Sequence, residues 1–123
     1  MDFEYYNPSE DKQSCVVRTM TKLTGKDYPA VKNELKELAD KLGFDTYNTP
    51  DVFEIFMENY KIHKVESFEN LKLKDLKLEN GTYCLFCSNK AGFNHLIPVI
   101  DNVIYDRRND SFDLFVLSIY KKL

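Results

Sequence analysis

The sequence predicts an α+β domain, helices first and an antiparallel sheet last, and three observations carry that prediction. Apolar residues recur at helical spacing through the first half of the chain. β-Branched and aromatic runs separated by turn residues fill the second half, and the stretch 94–106 joins two such runs around a tight turn. With 123 residues, the chain is read as one domain spanning 1–123, large enough to bury an ordinary core without staples.

Residues 1–12 mix aromatics with Asn7-Pro8-Ser9-Glu10-Asp11 and read as a lead-in loop or short edge segment. From Ser14 the spacing of Val16, Val17, Met20 and Leu23 predicts a helix, capped by Ser14 or Asp11 and closed at Gly25. Asp27 caps a second helix with Pro29 in its opening turn; Val31, Leu35, Leu38, Ala39 and Leu42 form its apolar stripe before Gly43. Thr49-Pro50-Asp51 opens a third, whose Phe53, Phe56, Met57 and Tyr60 face inward as core. Beyond Tyr60 the period changes. Residues 62–67 read as a short strand, and 68–78 as a short helix or an irregular connection, because leucines 71, 73, 76 and 78 fit neither period. Asn80-Gly81 marks a turn, 83–87 a strand, 88–94 a loop and 112–120 a long final strand, which together give an antiparallel meander.

The hairpin at 94–106 fixes a geometry. If Ile100 pairs with Val103 across Asp101-Asn102, then Val99 pairs with Ile104, Ile97 with Asp106 and His95 with Arg108. His95 and Asp106 therefore share a face as diagonal neighbours roughly 7–8 Å apart. Asp101 has the same parity but lies at the turn, about 20 Å down the strand, and is the weaker partner.

Composition narrows the function classes. Residues that are 43% hydrophobic and 30% charged describe a soluble globular protein, and 17 basic against 20 acidic residues argue against a backbone-tracking nucleic-acid binder. The acidic, aromatic N-terminus lacks the features of a signal peptide, and no run is long enough for a membrane span, so a cytoplasmic protein is expected. Cys15, Cys84 and Cys87 would all be thiols in that compartment. Cys84 and Cys87, three apart on a strand, point to opposite faces and read as core cysteines rather than a zinc or redox pair; no metal or cofactor is expected. His63, flanked by Lys61 and Lys64, reads as a surface residue.

Chemistry is expected instead from Cys15, His95 and Asp106. A thiol attacks as thiolate, and its pKa falls at a helix start beside an imidazolium. Cys15 would be the nucleophile, His95 the base and later the acid, and Asp106 the carboxylate that orients the imidazole. The Cys15 N–H would supply one oxyanion donor, with Gln13 or Asn94 as a second. Without such partners Cys15 would be a small buried hydrophobe on a helix.

Ser-Cys-Val-Val-Arg at a helix start, Thr-Gly-Lys-Asp-Tyr before a second helix, Asn80-Gly81-Thr82-Tyr83 before a strand, and Asn-His-Leu followed by Val-Ile-Asp-Asn-Val-Ile-Tyr-Asp resemble the small papain-like cysteine-peptidase domains of bacteria and their phages. Broader relatives of these include the bacteriocin leader-processing peptidases. The resemblance runs from about Asp11 to Tyr120 and implies a papain-like fold with Cys15, His95 and Asp106 as the triad. Where the papain superfamily commonly has an oxyanion glutamine about six residues before the cysteine, this chain has Ser9. The implied activity is hydrolysis or transfer at a peptide, isopeptide or amide bond of a peptide or protein substrate. The alternative is a binding module on the same fold that masks a target without turnover.

Overall fold

Among the described residues, apolar spacing and end signals place three helices in the first half of the chain. In the computed structural model, which describes residues 1–9 and 14–123, α1 is Cys15–Thr24, α2 Tyr28–Leu42 and α3 Pro50–Asn59. The Ser14 side chain accepts from the Val17 N–H at 3.3 Å, and Gly25 closes α1 with φ +74°, a left-handed cap that glycine adopts without strain. The Asp11 cap lies outside the described residues. In the second stripe Val31, Leu35 and Ala39 are buried and Leu38 partly so, but Leu42, one residue before the cap, is exposed.

Among the described residues six strands follow the helices or flank them: β1 Asp2–Tyr5, β2 Ile62–Lys72, β3 Thr82–Ser88, β4 Asn94–Ile100, β5 Val103–Asp106 and β6 Phe115–Lys122. Their order across one sheet is β1-β5-β4-β3-β6-β2. The sheet is mixed rather than antiparallel, because β1 pairs parallel with β5, from Asp2 opposite Val103 to Tyr5 opposite Asp106. Asp2-Phe3-Glu4-Tyr5 alternates polar with aromatic residues, and of the two readings the sequence left open, loop or short edge segment, it is the edge segment that forms, paired along β5.

The connectivity departs from a meander as well. β3, β4 and β5 follow one another, but β6 returns to the other side of β3 and lies between it and β2. Its burial explains the position: Val116, Ser118, Ile119 and Tyr120 are all buried, the mark of an interior strand covered on both faces. Strand β2 runs to Lys72, past the short strand expected, because register shifts between Lys64 and Glu66 and between Ser67 and Leu71 absorb the residues that break its period. Short 3₁₀ turns occupy Leu73–Asp75 and Ser111–Asp113, so β6 begins at Phe115, later than the sequence suggested.

Apolar side chains form two cores, one on each side of the sheet. Alternation along β3 sends Cys84 and Phe86 to the core shared with Val17, Met20, Leu35 and Phe53 of the helices. Tyr83, Leu85 and Cys87 go to the other, covered by Leu73, Leu76, Phe112 and Leu114 of the irregular segments. Among the described residues no helix is long and apolar enough to cross a membrane.

Candidate active site

The two pairs nearest the turn form in the register that the sequence predicts. Val99 faces Ile104, Ile100 faces Val103, and Asp101 and Asn102 both take positive φ, +48° and +64°, the conformation of a two-residue I′ turn. Past Val99 comes Pro98, which has no N–H for a ladder bond to β5. At the open end of the hairpin, His95 near the start of β4 reaches Asp106 at the end of β5, Nε2 to Oδ2 at 2.8 Å.

Cys15 arrives from the opposite end of the chain as the first residue of α1. Helix α1 is pinned to β4 by Thr19, whose buried Oγ1 donates to the Leu96 carbonyl at 3.0 Å. That contact sets the helix start against the strand start. Cys15 meets His95 and the Leu96 backbone there, the contacts that act most strongly to lower its thiol pKa. With Nε2 engaged by Asp106, Nδ1 is the imidazole nitrogen left for sulfur.

Electrostatics at the site follow from these contacts. Burial alone pushes the Cys15 thiol up, but the His95 hydrogen bond, the Leu96 backbone bond and the positive charges of His95 and Arg18 outweigh it, and the net shift is downward. Burial pulls His95 down, whereas its bonds to Asp106 and Cys15 and the charges of both raise it to about 9. Burial likewise raises Asp106, and its bonds to His95, Ser111 and the Arg107 backbone bring it below its ordinary value. Opposite shifts on sulfur and imidazole favour a thiolate–imidazolium pair over the neutral pair.

Asp106 is held from all sides. Ser111 Oγ donates to Oδ2 at 2.7 Å, the Arg107 N–H to Oδ1 at 2.7 Å, and the buried Arg18 guanidinium lies 3.5 Å from Oδ1. Two concavities meet over the pair. A groove of about 790 Å³ is lined by Cys15, His95 and Asp106 together with Lys90, Phe93 and Arg107, and a recess of about 220 Å³ adds Pro50, Phe53, Phe86 and Leu96 to Cys15 and His95.

Comparison with known proteins returns no matching family model, no matching curated protein and no matching solved structure. The functional reading therefore rests on the site itself.

The structure brings the three expected residues together: His95 hydrogen-bonds Asp106, and Cys15 lines both concavities beside His95. Asn94, the first residue of β4, lines both concavities, and Gln13 lies outside the described residues. Asp101 sits exposed at the turn, and His63 pairs with Lys121 on the edge strand β2. Cys84 and Cys87 are buried in different cores, and burial drives both thiols up. Among the described residues no three His, Cys, Asp or Glu side chains are grouped to hold a metal ion. Sequence reading missed Arg18 and Ser111. Arg18 lies one helical turn from Cys15, a spacing that could have signalled it; Ser111 looked like an ordinary turn residue.

Proposed function

We propose that the protein is a thiol hydrolase or acyltransferase of papain-like fold, acting on a peptide, isopeptide or amide bond through Cys15, His95 and Asp106. The observation that carries this reading is the placing of Cys15 at a helix start beside His95 and its hydrogen-bonded partner Asp106, all three lining one groove.

In the first step the Cys15 thiolate attacks the scissile carbonyl, forming a C–S bond and a tetrahedral oxyanion. The Cys15 N–H at the start of α1 and Asn94, which lines the recess beside Cys15, would be the donors to that oxygen. His95 then gives its proton to the leaving amine, the C–N bond breaks, and a thioester remains on Cys15. In the second step His95 takes a proton from the attacking water or acceptor amine, the C–S bond breaks, and the thiolate returns. Asp106 accepts from Nε2 throughout, keeping the other nitrogen turned to sulfur. The recess walled by Pro50, Phe53, Phe86 and Leu96 suits an apolar side chain beside the scissile bond.

The test is acylation by a p-nitrophenyl ester of an N-blocked leucine, followed by intact mass and peptide mapping. The expected outcome is a single acyl adduct on Cys15, absent from Cys15→Ala and formed at least about 100-fold more slowly by His95→Ala. Equal labelling of wild type and Cys15→Ala would sink the proposal and leave a protein that binds without turnover.

A further inference from the structure

We propose that Ser111 is a positioning residue of the site, holding Asp106 so that one chosen carboxylate oxygen faces His95. The inference rests on the triad reading above and adds a member to it. Its basis is how the donors divide between the two oxygens of Asp106. Oδ2 receives His95 Nε2 at 2.8 Å and Ser111 Oγ at 2.7 Å; Oδ1 receives the Arg107 N–H at 2.7 Å and faces the Arg18 guanidinium at 3.5 Å. An ionised carboxylate offers about four acceptor sites, so two donors on each oxygen leave it little freedom to turn.

The environment makes the Ser111 bond consequential. Ser111 is 1% exposed and Asp106 4%, so water cannot readily replace a missing hydroxyl. Without that donor, Oδ2 is held by His95 alone while Oδ1 keeps both of its partners. The carboxylate is then free to swing toward Arg18 and the Arg107 amide, loosening the ring whose Nδ1 faces Cys15. The hydroxyl's second neighbour, the Arg108 carbonyl at 3.4 Å, is the longer contact, so the proton belongs to Asp106. The two ends of this bond reach the site differently. Asp106 is placed by the hairpin, whereas Ser111 comes from the 3₁₀ turn Ser111–Asp113 that also covers the second core, so the turn is tied to the site through one side chain.

The experiment compares wild type, Ser111→Ala, Ser111→Cys and His95→Ala. Three readouts are taken: acylation by the same ester against concentration, the pH profile of Cys15 alkylation, and the His95 ring N–H resonance in proton NMR. Ser111→Ala is expected to lower the saturating acylation rate about tenfold with an unchanged half-saturating concentration, to move the alkylation profile toward alkaline pH, and to broaden or shift the ring N–H signal. Ser111→Cys, a weaker donor of similar shape, is expected to fall between the two. A merely structural serine would change melting temperature but neither the pH profile nor the ring signal. If Ser111→Ala does not fold, Ser111→Cys carries the comparison, and wild-type behaviour there overturns the inference. An unchanged His95→Ala profile would instead remove the triad reading itself. A changed His95→Ala profile beside an unchanged Ser111→Ala profile removes Ser111 alone.

Discussion

At Cys15 and His95 one proton is shared between two groups, and the direction of each shift fixes how pH acts on the molecule. His95 is raised from 6.5 to about 9, so its contribution to stability is full below 6.5 and is lost as pH rises through about 9. Cys15 is lowered from 9.0, so its contribution is present above that value and is lost as pH falls through the folded value. Between the folded Cys15 value and pH 9 the unfolded chain keeps its proton on sulfur and the native protein keeps it on imidazole. The proton counts match, and this pair adds almost no slope to stability there. In Cys15→Ala only His95 binds a proton on folding, held up by Asp106. Denaturant titrations should therefore show the variant losing stability relative to wild type as pH rises from the folded Cys15 value toward 9; parallel curves throughout would contradict the ion pair. His95 and Asp106 were legible in the sequence because strand parity alone puts them on one face. Ser111 and Arg18 were not, since a serine in a turn and an arginine on a helix reveal a partner only once the fold has closed.

Helices and hairpin were legible as elements for local reasons: caps, apolar spacing and a turn pair that accepts positive φ are written within a few residues. What joins α1 to β4 was not local. The buried Thr19 hydroxyl bonds the carbonyl of Leu96, next to His95, across 77 positions of sequence. Thr19→Val keeps the shape and removes the bond, and its expected cost is about 1 kcal/mol in denaturant unfolding. A loss of esterase rate larger than that stability loss explains would show that the bond also sets the distance from sulfur to imidazole. At the helix start, Ser14→Ala removes the cap on the Val17 amide and should cost about 1 kcal/mol. An unchanged melting temperature in both variants would contradict the account of how Cys15 is placed.

Over the whole molecule, the α+β class was legible and the strand order was not. Period reveals that a segment is a strand, but β6 beside β3 and β1 along β5 depend on which edges remain open after the hairpins close. The resulting sheet has β4 and β3 at its centre, buried by a core on each face, with β2 at one edge largely exposed. Hydrogen exchange should accordingly be slowest in β3, β4 and β6 and fast in the middle of β2, where register shifts interrupt pairing. Such a frame holds His95 on a rigid strand and brings Cys15 to it on a helix packed from one side. The most direct measurement is the rate of iodoacetamide alkylation of Cys15 against pH, in wild type and His95→Ala. A wild-type midpoint well below the ordinary thiol range, moving up when the imidazole is removed, is the result expected. A Cys15 that titrates near pH 8.5 in both proteins would contradict the central claim.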